Sequence, residues 1–225
     1  RAGHEIASHG YGHELITGLS PDAFREDVRK AKKILEDVIG APVGGYRAPT
    51  FTIVPRTAWA LEILVQEGYA WDSSVVPVTH DVYGWPGASP HPYRIHTASG
   101  PLDELPPSTI PFFGTRLGVG GGGYFRIYPY PLVRHCLRRI EASGEPLMFY
   151  LHPWELDPDQ PRMEGGRLSR FRHYMNLGRT QGRLTRLLDE FRFTSVREAM
   201  PALARRIARD EHARAKRLGL VRAAG

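Results

Sequence analysis

Two histidines near the start of the sequence have the spacing of a metal-binding pair. His9 and His13 lie four residues apart, and glycines flank the tyrosine between them. Neutral imidazole nitrogens are good ligands for zinc and similar metals. Two glycines would weaken a helical turn, so we expect the pair on a loop that follows a short strand. The alternative is an ordinary surface turn that carries histidines, and short motifs of this kind also occur by chance.

Three more candidate residues lie at or near the ends of predicted strands. Arg47, Asp72 and His152 each close or follow a short apolar segment. In α/β folds, ligands gather at the carboxyl ends of parallel strands, so we expect these side chains to come near the histidine pair. Each also has a simpler interpretation: an exposed arginine, an aspartate that caps a helix, and a histidine buried in a core.

The elements that would position these residues alternate between strands and helices. This alternation predicts an α/β fold with parallel strands. The predicted strands cover residues 4–8, 44–48, 69–73, 93–96, 102–105, 146–152 and 191–196. The predicted helices cover residues 21–39, 55–67, 131–142, 180–190 and 197 onward, with a kink or restart at Pro201.

The first of these helices has the clearest signals. Ser20 and Pro21 are typical of a helix start, and Gly40 is typical of a helix end. Between them, apolar residues recur every three or four positions, which predicts one buried face. That face comprises Phe24, Val28, Ala31, Leu35 and Val38.

The composition is that of a globular protein with a sizeable core. The chain has 225 residues, of which 41% are hydrophobic and 24% are charged. It lacks a run of eighteen apolar residues, so we expect no transmembrane segment. The only cysteine, Cys136, excludes an internal disulfide and is expected to be a buried helical residue.

The net charge is +6, and arginine is frequent in the last third of the sequence. A basic segment of this kind can bind nucleic acid or anionic lipid. Residues 205–222, however, lack the aromatic side chains that stack on bases. We therefore expect a solvated helix there and no nucleic-acid partner.

Several motifs occur together in a characteristic order. They are GHEIASHGYGH (3–13), GYRAP (45–49), GYAWDSS (68–74), GGGGYFR (120–126) and YLHPWE (150–155). In this order they resemble the polysaccharide deacetylases of the NodB-homology type. The closer resemblance is to the subgroup encoded with bacterial exosortase systems, whose C-terminal extension is similar to residues 178–196.

The resemblance implies a fold and a reaction. The fold is an irregular, incomplete (β/α) barrel over residues 1–160, completed by a C-terminal helical extension over 161–225. The reaction is the metal-dependent hydrolysis of acetyl groups from the N-acetylated sugars of a bacterial polysaccharide or oligosaccharide. The bacterial compartment, cytoplasm or periplasm, is left open.

The resemblance also assigns roles to individual residues. By position, His9 and His13 would bind a divalent metal, which we expect to be zinc. His152 would protonate the leaving amine, Asp72 would orient His152, and Arg47 would hold the catalytic base. Such roles are coherent, since amide hydrolysis needs an activated water, a stabilised oxyanion and a proton for the leaving group.

Substrate contacts are expected from four further residues. Tyr150 stands where many relatives have a leucine that lines the acetate pocket, and Trp154 could form an apolar wall. Tyr124 and Arg126 follow a glycine run that formally satisfies GxGxxG. We interpret this run as a flexible loop beside the groove, because no apolar strand precedes it and no helix start follows it.

Two aspartates that the resemblance requires, the base and a third metal ligand, do not precede His4. We therefore expect the sequence to lack its N-terminal segment, including a first strand, and to bind metal weakly and turn over little on its own. Glu5 and Asp81 are the first alternative bases. The competing functions are a non-catalytic carbohydrate-binding barrel and an O-acetyl esterase on the same fold.

Overall fold

The computed structural model describes residues 3–162, 164 and 166–217. Within them, short strands alternate with helices, which confirms the predicted α/β class. In chain order the elements are α1 (Pro21–Ile39), β1 (Gly45–Tyr46), α2 (Trp59–Gln66), β2 (Trp71–Asp72), β3 (Tyr93–Thr97), β4 (Gly100–Glu104), β5 (Thr109–Phe112), β6 (Thr115–Gly118), α3 (Gly122–Ile127), α4 (Tyr130–Ala142), α5 (Arg167–Tyr174), α6 (Leu177–Glu190) and α7 (Val196–Arg217).

The chain divides into two compact units, which are Arg1–Pro106 together with Thr194–Gly225, and Pro107–Phe193. The first unit contains a four-stranded sheet in the order β1-β2-β4-β3. Strands β1, β2 and β4 are parallel, and β3 pairs with β4 in the antiparallel direction. Tyr46, Asp72 and Glu104 are register partners across the three parallel strands, so the carboxyl ends of these strands share one edge of the sheet.

Helix α1 begins and ends as the sequence predicts. The Ser20 hydroxyl accepts a hydrogen bond from the Ala23 N–H at 3.2 Å, and Gly40 ends the helix in the left-handed region at φ 67°. The last turn extends past the core, so Val38 is 79% exposed and its predicted burial is wrong. The buried face consists of Phe24, Val28 and Ala31.

The second unit combines the β5–β6 hairpin with helices α3 to α6. Cys136 is buried in α4, as predicted. Arg183 of α6 caps the C-terminal end of α3, because its Nη1 donates hydrogen bonds to the carbonyls of Phe125, Arg126 and Tyr128. The core comprises Val119, Phe125, Tyr130, Val133, Cys136, Leu137, Leu187 and Phe191.

Three predicted strands are wrong. Over residues 146–152, the described structure has only one parallel bridge, between Tyr150 and Gly121. The pairing stops there because the neighbouring segment turns into α3 at Gly122. Over residues 4–8, Ser8 alone forms a bridge, to Tyr46, and residues 191–196 form no strand.

The glycine run forms a sharp turn instead of the predicted flexible loop. Gly121 and Gly122 have φ angles of 119° and 56°, a region that favours glycine. A Cβ atom on Gly121 would lie 1.8 Å from the Tyr150 carbonyl oxygen. This close approach allows α3 to begin immediately, so Tyr124 and Arg126 are helical.

The long C-terminal helix and the two sheets differ in part from their predicted forms. Helix α7 continues through Pro201, so this proline does not end it. Among the described strands, no sheet closes into a barrel. The predicted boundary between residues 160 and 161 stays a prediction. Every helix of the described chain is too short or too polar to cross a lipid bilayer.

Gly121→Ala tests the turn before α3. We expect it to lower the free energy of unfolding by about 1–3 kcal/mol, since the added methyl group meets the Tyr150 carbonyl at an unfavourable φ. Gly182→Ala is the control, because Gly182 lies inside α6 with no atom within 4 Å of the added Cβ. It should stabilise the helix by about 0.5–1 kcal/mol. Urea unfolding measures both, and equal effects would contradict the tight turn.

Candidate functional site

The two candidate metal ligands lie together on an exposed loop of the first unit. The ring centroids of His9 and His13 are 4.9 Å apart, with the rings edge to face. His9 Nδ1 is 2.7 Å from the Arg47 carbonyl oxygen. A carbonyl only accepts, so Nδ1 carries the hydrogen and Nε2 of the neutral ring has the lone pair. Metal-binding histidines typically have this arrangement.

Asp27 of α1 holds the loop between the two histidines. Its carboxylate accepts hydrogen bonds from the backbone N–H groups of Tyr11 at 3.0 Å and Gly12 at 2.7 Å. A Cβ atom on Gly10 would lie 2.8 Å from Asp27 Oδ2, so the loop needs glycine there. Asp27 was not among the predicted site residues, because nothing in its sequence spacing links it to the loop.

His9 and His13 fit a metal ion as two ligands. A zinc site normally has three or four protein ligands. Across the described ranges, however, the structure brings no three His, Cys, Asp or Glu side chains together in a way that could hold a metal ion. The predicted metal therefore stays a prediction that rests on the histidine pair.

Arg47 is bound at the carboxyl edge of the sheet. Its Nε donates to the Ser73 carbonyl at 3.1 Å, and its Nη2 donates to the Ser73 hydroxyl at 2.7 Å. That hydroxyl in turn donates to the Leu105 carbonyl at 2.6 Å. The arginine is thus oriented by residues that follow β2 and β4, while its predicted hold on a catalytic base stays a prediction.

Asp72 is fully buried at the end of β2. It accepts hydrogen bonds from the Ser74 hydroxyl at 2.6 Å and the Ser74 N–H at 3.1 Å. Its register partner, Glu104, is also fully buried and accepts from the Val75 N–H at 3.1 Å. The predicted action of Asp72 on His152 stays a prediction.

Burial and mutual repulsion act on these two carboxyl groups. Burial raises the pKa of Glu104 well above its usual range, and the negative charge of Asp72 raises it further. Glu104 Oε2 has no hydrogen-bond partner among the described groups, so no donor there stabilises a negative charge on this oxygen. Glu104 was not among the predicted site residues, although its place at the end of a parallel strand was a usable signal.

In the second unit, a buried carboxylate holds His152. The His152 side chain is 46% exposed, whereas that of Glu155 is 0% exposed. Glu155 Oε1 lies 2.7 Å from His152 Nδ1 and accepts the backbone N–H of His152 at 3.0 Å. Glu155 was not among the predicted site residues, although it belongs to the YLHPWE motif.

Arg126 is buried against this glutamate. It is 3% exposed, and its Nε donates to Glu155 Oε2 at 2.6 Å. Its Nη1 donates to the carbonyls of Arg172, His173 and Met175, at the end of α5. These contacts favour a structural role over the predicted sugar contact.

Aromatic side chains surround His152. The Trp154 ring stacks on His173 at 4.1 Å and lies 5.5 Å from the His152 ring. The Tyr150 ring meets His152 edge-on at 5.7 Å. One face of Trp154 is therefore covered, whereas Tyr150 borders the exposed histidine. The fourth predicted substrate residue, Tyr124, packs on Tyr128 at 5.8 Å.

Two family models together match most of the sequence. Residues 73–201 match the domain of unknown function DUF3473, and residues 1–69 match the polysaccharide deacetylase family. The chain belongs to the DUF3473 family, and its N-terminal part is similar to the polysaccharide deacetylases. In this DUF3473 protein the deacetylase match contains His9, His13 and Arg47, and the DUF3473 match contains His152 and Glu155.

Two curated relatives match about a third of the DUF3473 protein. It is 29% identical over 75 residues to the peptidoglycan deacetylase of Helicobacter pylori. It is 34% identical over 74 residues to a peptidoglycan deacetylase-like protein of Gibberella zeae. Each match covers 33% of this chain, but only 25% and 21% of the respective relative.

Solved structures give partial similarity. One is a Mycobacterium smegmatis protein assigned as a polysaccharide deacetylase, with 29% identity, a TM-score of 0.43, and coverage of 64% of this chain and 46% of that chain. Another is Puue allantoinase, with 19% identity, a TM-score of 0.48, and coverage of 80% and 54%. The chain thus spans about half the length of these structures.

Glu104→Gln tests the raised pKa of Glu104 through stability. Burial and the charge of Asp72 raise the pKa of Glu104 in the folded protein, whereas an unfolded glutamate loses its proton near pH 4.3. Stability therefore falls as pH rises above that value, by up to about 1.4 kcal/mol per pH unit for one proton. Because glutamine has no proton to lose, the variant should have a flatter slope between pH 5 and 8.

Urea unfolding at several pH values measures this slope. Glu26→Gln, which removes an exposed carboxylate from α1, controls for the change in net charge. Identical slopes in wild type and Glu104→Gln would mean that Glu104 is ionised in the folded protein.

Proposed function

We propose that this chain is part of a metal-dependent hydrolase that removes acetyl groups from the N-acetylated sugars of a bacterial polysaccharide. The observation that carries the proposal is the polysaccharide deacetylase match over residues 1–69, which contains the histidine pair. The hydrogen bond from His9 Nδ1 to the Arg47 carbonyl supports it, because it leaves Nε2 as the ligand nitrogen.

His9 and His13 are the proposed ligands of a divalent metal, and zinc is the ion that we propose. When bound, such an ion supplies an activated water and stabilises negative charge on the carbonyl oxygen. The two imidazoles contribute neutral nitrogen donors on a loop that Asp27 orders. We assign no third ligand among the described residues.

His152 is the proposed general acid. An amine leaves readily only when it is protonated, so a positioned proton donor lowers the barrier to breaking the amide C–N bond. The exposed part of the His152 ring can reach a substrate, while its Nδ1 is held by Glu155. Arg47 is the proposed holder of the catalytic base, since Ser73 fixes its guanidinium at the sheet edge.

The proposed substrates are glycans that contain N-acetylated sugars. Two relatives are named for peptidoglycan deacetylation, which supports peptidoglycan strands as one candidate. The resemblance to the exosortase-associated subgroup supports an exopolysaccharide as another. Tyr150 is the proposed sugar contact next to His152, and an incomplete (β/α) barrel is the proposed scaffold.

Acetate release tests the reaction. The 225-residue chain and the longest native polypeptide that contains it would be loaded with zinc and offered N-acetylglucosamine oligomers and an O-acetylated glycan side by side. Acetate from the amide substrate supports the proposal. Acetate from the ester alone would indicate an O-acetyl esterase. Glycan binding without release from either substrate would indicate a carbohydrate-binding protein.

His152→Gln tests the proton donor. The change should lower kcat by about 10²–10⁴-fold, because glutamine cannot protonate the amine. His135→Gln is the matched control, since His135 is an exposed residue of α4 and should keep wild-type kcat. Comparable rates for the two variants would remove His152 from the mechanism.

Asp27→Asn tests the histidine loop. A carboxylate accepts both loop N–H groups, whereas an amide oxygen can replace only one acceptor, so the loop should loosen. We expect zinc affinity to fall by about 10–100-fold in a titration against a chromogenic chelator. Asp37→Asn, an exposed change on the same helix, should leave zinc affinity unchanged. Equal affinities for both variants would argue against the histidine pair as the metal site.

A further inference from the structure

The turn that follows His152 contains a carboxylate that contacts the histidine itself. Glu155 lies three residues after His152, within the 3-10 turn Pro153–Leu156, and its side chain is 0% exposed. One oxygen, Oε1, receives both the backbone N–H and the ring Nδ1 of His152, at 3.0 and 2.7 Å. Two hydrogen bonds from one residue to one oxygen fix both the ring and the main chain that carries it.

The other carboxylate oxygen is occupied by a buried cation. Arg126 Nε donates to Glu155 Oε2 at 2.6 Å, and Arg126 is itself 3% exposed. Burial alone would raise the pKa of Glu155, but hydrogen bonds from His152 and Arg126 hold that pKa below its usual range. Glu155 is therefore an ionised acceptor, and the hydrogen of the contact belongs to His152 Nδ1.

Arg126 is itself fixed by the main chain. Its Nη1 donates to the carbonyls of Arg172, His173 and Met175 at 3.1, 2.8 and 3.1 Å. These carbonyls lie at and just after the end of α5, where helical partners are missing. His173 also stacks on Trp154, which lies beside the His152 ring. The ring thus has a hydrogen-bonded edge and an aromatic neighbour within one cluster of contacting side chains.

We propose that Glu155, held in place by Arg126, is the positioning residue that fixes His152 with its hydrogen on Nδ1 and leaves Nε2 as the nitrogen that exchanges protons. This inference rests on the proposed function, in which His152 is the proton donor. It assigns to Glu155 the orienting role that the family resemblance implied for Asp72. When Nε2 gives its proton to the leaving amine, the ring becomes neutral. The remaining hydrogen stays on Nδ1, which continues to donate it to the Glu155 carboxylate.

Long-range ¹H–¹⁵N NMR correlations of ¹⁵N-histidine-labelled protein test the assignment without any turnover. His152→Gln identifies the His152 signals by their loss. At a pH where the ring is neutral, the wild-type spectrum should show hydrogen on Nδ1 and a lone pair on Nε2. A wild-type ring with its hydrogen on Nε2 would overturn the proposal.

Two double variants separate the hydrogen bond from the ion pair. Changing Glu155 alone would leave the Arg126 charge buried without its partner, so Arg126→Met accompanies each change. Arg126→Met with Glu155→Gln keeps an acceptor for Nδ1 and should keep the wild-type tautomer. Arg126→Met with Glu155→Leu removes the acceptor and should give a mixture of tautomers. A pure Nδ1–H ring in the leucine variant would overturn the proposal, and circular dichroism verifies that both variants are folded.

Kinetics on the same proteins give the catalytic readout. The leucine double variant should have a kcat at least about 10-fold below that of the glutamine double variant, with similar KM, because only the orientation of the proton donor differs. Equal kcat values would overturn the positioning role. If the wild-type protein releases no acetate from any substrate, the proposed function fails, whereas the tautomer measurement still decides whether Glu155 positions His152.

Discussion

The second unit depends on the buried ion pair between Arg126 and Glu155. Removing a carboxylate and a guanidinium from water costs several kcal/mol for each ion, and only close pairing with further hydrogen bonds offsets that cost. The second oxygen of Glu155 accepts a hydrogen bond from His152, and Arg126 Nη1 donates hydrogen bonds to carbonyls at the end of α5. Because both buried charges need hydrogen-bond partners, their contacts join α3, α5 and the turn after His152.

The first unit buries carboxyl groups by a different means. Asp72 and Glu104 are adjacent in register, and the positive charge of Arg47 offsets only part of the rise that burial and Asp72 cause in the pKa of Glu104. A raised pKa favours the neutral form of Glu104, while Ser74 donates hydrogen bonds to Asp72 and Val75 donates one to Glu104. In the second unit, by contrast, the pKa of Glu155 is lowered, and its carboxylate is the acceptor for His152 Nδ1.

Local sequence signals were sufficient to predict those elements whose stabilising interactions lie within the element itself. The cap at Ser20, the apolar period and Gly40 predicted α1 because all of these interactions lie within the helix. The strand predicted over 146–152 failed because strand formation depends on a partner segment, and that segment turns away at Gly122. The glycine run before Arg126 led to the prediction of a sugar contact, whereas the burial of Arg126 depends on Glu155, 29 residues away. Asp27 and Glu104 were missed for the same reason, since their partners are distant in sequence.

The two family matches cover different candidate site residues: one contains the histidine loop, and the other contains His152 and the residues that hold it. The histidine loop and the carbonyl that orients His9 lie within residues 1–69, the polysaccharide deacetylase match. His152, its acceptor Glu155 and the supporting Arg126 all lie within residues 73–201, the DUF3473 match. The acceptor for His152 Nδ1 is therefore supplied by the DUF3473 segment itself, through a turn of four residues. The short turn keeps the histidine and the carboxylate within reach of each other, and the hydrogen bonds from Arg126 and from the His152 main chain then hold the carboxylate against the ring.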